Sequence, residues 1–405
     1  MRALLSPFVT VVTAICMQPC VEAQIVVDPS GGGHYRRLQE AIDAAVDGAT
    51  ILVRGGTYPA AWVSNKSLTI AGDPAFSVFT DSGISPNAQQ AAFELRGGGS
   101  ERFTLIGCTT SGQWGVQYII GGPGIRSYGY ARLHLINCTI SAPTVVGGTG
   151  GPYLYGVSAI VSGQGSQILV ESSTITATHG DTDCRYVHST SPHWVPDGLP
   201  GIDAAGCEVT VISSAVTGGW GNTWCLNWWG FGQPPPLTGP CPCAGIGGHG
   251  GAGIIADSVV EVSSGLSGIR GGSGGSVSAY DASIQRSYSF GQQPDGPAWI
   301  AASYHQIPSG VSSATRWHLG STFLVTTPGN APGILLFGDL ARVVEWPFGL
   351  SWIDIASGRF FIVPTVGAIQ VPVPNDALFL GVTIVAQSLD QSILLRAPMV
   401  RVIEP

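Results

Sequence analysis

The residues best suited to chemistry are acidic, histidine and cysteine side chains between His179 and Asp203. Within fifteen residues the chain places His179, Asp181, Asp183, Cys184, His188 and His193. Asp203 follows Asp181 by 22 residues, a separation that suits two carboxylates on adjacent turns of a repeating fold. Two such carboxyl groups can act as acid–base catalyst and nucleophile, or can simply be turn and strand residues. Mixed ligands without a regular spacing do not specify an ion, so no metal site is predicted here.

Aromatic side chains are concentrated in one insertion, residues 218–253. It contains Trp220, Trp224, Trp228, Trp229 and Phe231, together with three consecutive prolines and the cysteines Cys225, Cys241 and Cys243. Flat aromatic faces stack well on sugar rings, so the four tryptophans are predicted to bind carbohydrate. The alternative is that the insertion forms its own small core, held by a disulfide from Cys225 to Cys241 or Cys243.

The composition is that of a β-rich protein with little charge. Glycine accounts for 58 of 405 residues, and charged residues for 10%, against about 25% in an average domain. This argues against a helical bundle, while branched and aromatic residues are too plentiful for disorder. A net charge of −8 and a single lysine argue against nucleic acid and against polyanionic sugar chains as partners. No cofactor is predicted.

The first 23 residues are predicted to be a secretory signal peptide. Arg2 precedes an apolar run over 8–17, and small residues end at a cleavage site after Ala23. The run is too short to span a bilayer, so we expect a secreted or cell-surface protein without a membrane span, and a monomer. Seven of nine cysteines follow the signal, and export permits disulfides. Because seven is odd, at least one thiol stays free or pairs with another molecule.

The segment Ile25–Pro74 predicts one strand, one amphipathic helix and then short strands at close spacing. A helix over Tyr35–Val46 would place its apolar residues on one face, namely Leu38, Ala41, Ile42, Ala45 and Val46. Strands are predicted at 50–53, 61–64 and 67–71, separated by glycine and Asn-Lys turns. We expect the helix to cover the open end of a coiled sheet, an edge that would otherwise recruit other chains.

A loose repeat follows the predicted helix and its strands. Each copy has alternating apolar residues and then a small residue, and the small residues are Cys108, Cys138, Ser173, Ser214 and Ser264. Units too small to bury their own apolar face must stack on their neighbours, which predicts a solenoid. Because the copies grow further apart along the chain, the extra length must lie in loops. Cys108 and Cys138 would then stack about 4.8 Å apart, either as a disulfide or in a ladder of small buried side chains.

The opening segment resembles the pectin-lyase-like right-handed parallel β-helix proteins. The resemblance is carried by Tyr35-Arg-Arg-Leu-Gln-Glu-Ala-Ile-Asp-Ala-Ala, Gly56-Thr-Tyr58 and Leu68-Thr-Ile-Ala-Gly72, and it extends more diffusely to about Gly291. It implies an all-β fold, a right-handed parallel β-helix over 24–291 with an N-terminal capping helix. The family contains pectinesterase-like, lyase-like and non-catalytic members, so it implies no single activity.

Within that family, the residues around Asp181 are similar to the pectinesterase stretch Gln-Asp-Thr-Leu-Tyr. The resemblance implies that Asp181 transfers the proton and that Asp203 attacks the ester carbonyl. Gly180, however, replaces the glutamine that stabilises the oxyanion, and no Gly-Arg-Pro-Trp segment supplies an arginine. We therefore expect an extracellular carbohydrate-binding or scaffold protein without an intact active site. The alternative is an esterase or lyase that acts on a pectin-like polysaccharide through Asp181 and Asp203.

The chain changes character after Gly291. Residues 292–316 are rich in proline, glycine and serine, and they are predicted to form a linker. From Trp317 to Pro405, short apolar strands alternate with proline turns, which predicts a small antiparallel β-sandwich.

Overall fold

The computed structural model shows a mostly β protein with a long, curled parallel sheet, one short helix and small antiparallel sheets near the C-terminus. The fold class predicted from the sequence is thus confirmed. The structure describes residues 25–79, 91–111, 122–142, 157–163, 165–178, 197–221, 224–227, 249–263, 268–274, 276–281, 286–292, 295–308, 317–318, 320–327, 332–338, 340–346, 349–353, 360–373, 375, 383–389 and 399–404. The predicted signal peptide lies outside them.

The curled sheet contains 19 hydrogen-bonded strands. They are β1 Ile25–Val27, β2 Thr50–Arg54, β3 Thr57–Pro59, β4 Ala61–Ser64, β5 Leu68–Phe79, β6 Phe93–Arg96, β7 Arg102–Ser111, β8 Ile125–Tyr128, β9 Arg132–Ile136, β10 Thr139–Ser141, β11 Ile160–Ser162, β12 Gln167–Glu171, β13 Thr174–Thr176, β14 Ile202–Ile212, β15 Ala215–Thr217, β17 Ile254–Ser263, β18 Gly268–Arg270, β21 Trp299–Ile300 and β22 Ser303–Pro308. A separate small sheet contains β16 Trp224–Asn227, β19 Ser276–Asp281 and β20 Arg286–Gln292.

The curled sheet has three parallel parts, which we call the first, second and third sheets, and each turn of the solenoid contributes strand residues to them. The first sheet runs through β4, β6, β8, β11, β14, β17 and β21. The second runs through β1, β2, β5, β7, β9, β12, β14, β17 and β22, and the third through β3, β5, β7, β10, β13, β15 and β18. Long strands such as β7 bend from one sheet into the next. Equivalent residues of successive turns are therefore stacked in rows.

The rows that face inward form one apolar core. One row contains Ile51, Ile70, Leu105, Leu135, Val170 and Val211, all of them fully buried. Phe103 lies near the middle of the core and contacts Phe93 and Tyr130, with ring centroids 5.8 and 6.4 Å apart. Because no single turn could bury these side chains alone, stacking is what keeps the interior dry.

The N-terminal end of the solenoid is covered by α1, Leu38–Ala44. Leu38, Ala41 and Ile42 are buried as predicted, but the prediction that Val46 shares this face was wrong, since Val46 is 55% exposed. The helix ends at Ala44 and Ala45 is already extended, so Val46 leaves the helical period. The predicted capping role is supported by side-chain bonds. The Gln39 amide bonds both the N–H and the carbonyl oxygen of Trp62 in β4.

The small residues of the repeat form a ladder, not a disulfide. Cys108, Cys138, Ser173 and Ser214 are buried in register, and both cysteines are free thiols. The Ser173 hydroxyl accepts a bond from the Cys138 N–H at 2.9 Å, and the Ser214 hydroxyl accepts one from the Ser173 N–H at 3.0 Å. Ser264 lies outside the described residues. The ladder alternative is therefore confirmed as far as Ser214.

Replacing Cys138 by serine should change stability by less than about 1 kcal/mol, because the ladder already accepts hydroxyls at this position. The Ser173 and Ser214 hydroxyls each donate to the carbonyl two residues earlier, at 2.7 Å, as the Cys138 thiol does at 3.3 Å. Cys138→Val should cost roughly 1–3 kcal/mol, since a β-branched side chain overfills the site. Urea denaturation of both variants checks this. Equal losses would contradict the ladder interpretation.

One corner of the solenoid is packed with glycine. Gly198, Gly219, Gly251, Gly272 and Gly296 lie on neighbouring segments that approach one another through their backbones. The Gly251 N–H donates to Gly219, the Gly272 N–H to Gly251 and the Gly296 N–H to Gly272, each at 2.8 Å. A Cβ at any of these five positions would overlap backbone atoms of a neighbouring segment. We call these five residues the glycine corner.

The parallel sheet continues into the segment that the sequence analysis interpreted as a linker. β21 pairs with β17 at Ile254 and Ile255, and β22 pairs with β17 from Ser258 to Ser263. Trp299 and Tyr304 of this turn are stacked, with ring centroids 3.7 Å apart. Its proline, glycine and serine content is typical of a connection, and it also supplies strands to the parallel sheet. The division into domains stays a prediction.

The C-terminal strands form small sheets around a second apolar cluster. The strands are β23 Trp317–His318, β24 Thr322–Thr326, β25 Pro332–Gly338, β26 Leu340–Trp346, β27 Gly349–Ile353, β28 Phe360–Val366, β29 Ala368–Pro372, β30 Thr383–Leu389 and β31 Met399–Glu404. β24 pairs with β29, β26 with β27, and β25 with both β28 and β30, all antiparallel. Trp317 is fully buried and stacks on Phe323 at 4.2 Å. None of the described helices is long and apolar enough to cross a membrane.

Candidate functional site

The outer face of the first sheet has the richest combination of polar and aromatic side chains. One outward row contains Trp62, Glu94, Arg126, Val161, Asp203, Ile255 and Ile300, one residue from each strand. A second row, two residues further along each strand, contains Ser64, Arg96 and Tyr128. Alternation along the strands turns these residues outward and their neighbours inward. We call Trp62, Glu94, Arg96, Arg126 and Tyr128 the outer-face cluster.

Glu94 is the electrostatic centre of this cluster. Its carboxylate accepts a bond from the Arg126 guanidinium at 3.1 Å and another from Arg96 at 3.3 Å. The Glu94 and Arg126 side chains are only 15% and 20% exposed, whereas that of Arg96 is 71% exposed. Glu94 and Arg126 are therefore fixed in place, and Arg96 lies over them at the surface.

Two exposed aromatic residues lie on the turns before and after Glu94. Trp62 is 51% exposed and Tyr128 is 47% exposed, on turns either side of the one that holds Glu94. Two strand spacings, roughly 10 Å, separate their turns. The backbone of Trp62 is held by Gln39, and the Tyr128 ring lies beside Gly163, where a Cβ would be 3.3 Å from it. Both aromatic residues thus have a neighbour that holds them and a side chain that is about half exposed.

Asp203 lies in the same outward row, between Val161 and Ile255. It is half-buried between these apolar neighbours, and this desolvation raises the pKa of its carboxyl group. Asp181, its predicted catalytic partner, lies outside the described residues. So do His179, Asp183, Cys184, His188 and His193. The roles given to Asp181 and Asp203 therefore stay predictions.

The four predicted carbohydrate-binding tryptophans are only partly described. Trp220 follows β15 and is 42% exposed. Trp224 begins β16, while Trp228, Trp229, Cys241 and Cys243 lie outside the described residues. Sequence reasoning missed the outer-face cluster, whose members come from three separate strands. The available signal was their shared position, the second or fourth residue of each short first-sheet strand.

Buried thiols and imidazoles contribute no reactive group. Burial raises the pKa of Cys138 to about 12, and it raises the pKa values of Cys108 and Cys207 as well. Burial, with Arg132 and Arg102 nearby, lowers the pKa of His134 to about 3. These three thiols therefore stay protonated at neutral pH, and thiols rather than thiolates are poor nucleophiles. Among the described side chains no group of acidic, histidine and cysteine residues is arranged to hold a metal ion.

No protein-family model matches this sequence, and no curated protein matches it.

Proposed function

We propose that this protein is an extracellular carbohydrate-binding β-helix protein, and that the outer-face cluster is its binding surface. The observation that carries the proposal is the pair of half-exposed rings, Trp62 and Tyr128, on the turns before and after Glu94, whose carboxylate bonds Arg126. Aromatic faces supply stacking area for sugar rings, and the charged groups supply donors and acceptors for hydroxyls. A flat sheet face holds these groups at fixed spacing.

The charge arrangement favours a neutral glycan. Arg96 and Arg126 share the single Glu94 carboxylate, so the cluster keeps one net positive charge and is not a strongly cationic patch. The net charge of −8 would also repel a polyanion. A neutral glycan needs no free cation, because its hydroxyls can donate to Glu94 and accept from Arg96.

The test is an array of soluble glycans probed with the purified mature protein, followed by titration of any ligand found. Trp62→Ala and Tyr128→Ala should each weaken binding by roughly tenfold, the value of one good stacking contact. Val46→Ala, which shortens an exposed apolar side chain on the capping segment, is the matched control. Unchanged affinity in both aromatic variants would contradict this site. If only Trp220→Ala loses affinity, the glycan-binding site lies in the predicted tryptophan insertion instead.

A second candidate is an esterase or lyase that acts through Asp203, and the desolvated carboxyl group favours it. A half-buried carboxyl group with a raised pKa is a feature of general acids and bases. Asp203→Asn should then abolish release of methanol or unsaturated product from esterified pectin, while glycan binding persists. If the wild-type protein releases no product, the esterase or lyase proposal is wrong and only the binding function remains.

Asp203→Asn should also raise stability at neutral pH. The folded pKa of Asp203 lies above its unfolded value of 3.8, so folding favours the neutral carboxyl group. The stabilisation that the protonated group provides is complete below pH 3.8 and is lost as pH rises through the folded pKa. Urea denaturation near pH 3 and pH 7 should show an advantage for the variant at pH 7 only. An equal advantage at both values would contradict the assignment.

A further inference from the structure

The outer face of the third sheet has a different chemistry from that of the first. Its first outward row carries hydroxyls on five consecutive turns, at Thr57, Ser77, Thr109, Thr139 and Thr174, and then continues with Ala215 and Gly268. A second row, two residues along each strand, contains Ser141, Thr176 and Thr217 on β10, β13 and β15. We call these eight serine and threonine residues the hydroxyl face. The second row is preceded on β3, β5 and β7 by Pro59, Phe79 and Ser111.

The hydroxyl face is open to solvent. Thr57, Thr139 and Thr174 are exposed, and the other five residues are partly exposed. The Ser141 hydroxyl donates to the Thr110 carbonyl at 2.8 Å. The threonine hydroxyls make no bond to any other described residue, so they are available to an outside partner.

The two rows form a regular lattice. Successive turns are about 4.8 Å apart, and residues two apart on a strand are separated by about 6.6 Å. The strands of this sheet pair without a bulge from β10 through β13 and β15 to β18. Directly behind them runs the ladder of Cys138, Ser173 and Ser214, whose bonds join one turn to the next. The positions of the hydroxyl groups are thus set independently by the sheet and by the ladder.

The partner must match a face without charge. From β10 to β15 neither row contains a charged or an aromatic residue; Phe79 precedes this stretch in the second row, and Arg270 follows it. Charged polymers and proteins with acidic or basic patches therefore find nothing to pair with. Between β10 and β15 sugar chains find no ring on which to stack, unlike on the first sheet. What remains is a partner that needs donors, acceptors and methyl groups at a fixed two-dimensional repeat.

We propose that the hydroxyl face binds ice. Ice presents oxygen atoms in flat rows whose spacing is close to that between paired strands. Each threonine offers a hydroxyl that both donates and accepts, beside a methyl group that excludes mobile water. A rigid lattice of such groups holds water molecules in the arrangement that they have in ice. The protein and its bound water therefore lose no further entropy when they contact the ice surface. A flexible polymer would gain nothing from the repeat.

The test is partition of the full mature protein between liquid and a slowly growing ice surface, which rejects ordinary solutes. The wild-type protein should be enriched in the ice, and Thr139→Lys with Thr174→Lys should reduce the ice-bound fraction at least tenfold. Ser64→Lys, an equally exposed position on the first sheet, should leave it unchanged. Circular dichroism and melting curves verify folding. If the lysine pair unfolds the protein, Thr139→Tyr with Thr174→Tyr replaces it, since tyrosine suits strands.

Several outcomes would overturn the proposal. The proposal is wrong if the wild-type protein is excluded from ice. It is also wrong if folded Thr139 and Thr174 variants enter the ice as much as the wild-type protein does. Retention on crystalline cellulose or chitin that depends on these two threonines would assign the face to a solid polysaccharide instead. Trp62→Ala and Tyr128→Ala should not alter ice partition, so the proposal stands or falls separately from glycan binding on the first sheet.

Discussion

Gly251→Ala should destabilise the protein by about 3 kcal/mol or more, and it should leave little folded protein at 37 °C. Gly251 lies in the middle of the glycine corner, where it bonds Gly219 on one side and Gly272 on the other. A methyl group there would overlap backbone atoms of Leu199 and Gly198. Backbone atoms cannot rotate away as a side chain can, so neighbouring turns would have to separate.

Gly268→Ala is the matched control. Gly268 is also a glycine of the solenoid, in β18, but the nearest atom to an added Cβ is the Arg270 Nε at 3.8 Å. An alanine there fits, and it should even add a few tenths of a kcal/mol by restricting the unfolded chain. Urea denaturation of both variants provides the measurement. Similar midpoints for Gly251→Ala and wild type would show that the corner opens without cost.

Lys66→Met should cost about 2 kcal/mol and should loosen the N-terminal cap. Lys66 is the only lysine in the sequence, and its ammonium group donates to the carbonyls of Ile42, Asp43 and Ala45 at 3.0, 3.0 and 2.8 Å. These are carbonyls at the end of α1 that have no partner within the helix. A positive charge is also favourable at this end of a helix. Methionine keeps the stem and removes all of these interactions.

Hydrogen exchange of α1 and β4 measures this effect where it arises. Exchange should accelerate there in Lys66→Met, and the exposed edge should increase aggregation on storage. Arg37→Met removes another cation near the same helix, but Arg37 is exposed and lies 3.9 Å from Glu40. That variant should change stability by less than about 0.5 kcal/mol. Faster exchange throughout the solenoid would contradict a local cap.

Local patterns in the sequence predicted the solenoid well. The helical period over Leu38–Ile42 and the small residues at Cys108, Cys138, Ser173 and Ser214 are visible in one dimension, and the structure confirms both. Val46 was misassigned because the helix ends at Ala44, and the carbonyls at this end are bonded by Lys66, which lies 21 to 24 residues further along the chain. A helical period alone contains no information on such a contact.

The functional surfaces were harder to predict because they depend on register. Trp62, Glu94 and Arg126 are each about 32 residues apart in the chain and become neighbours only when strands are aligned. Local sequence patterns do not extend over so many residues, so they do not reveal that alignment. The glycine corner was missed for the same reason, since its members look like ordinary turn glycines in sequence. The first row of the hydroxyl face repeats at irregular intervals of 20, 32, 30 and 35 residues between Thr57 and Thr174.

The irregular intervals have a use of their own. Extra length accumulates between third-sheet strands and the next first-sheet strands, as from β10 to β11, β13 to β14 and β15 to β17, while the turns themselves keep their register. Foreign peptides grafted into these connections should therefore be displayed beside successive turns, between the third and first sheets. An epitope or affinity tag placed there would be presented at multiples of a constant step, a convenient ruler for multivalent display.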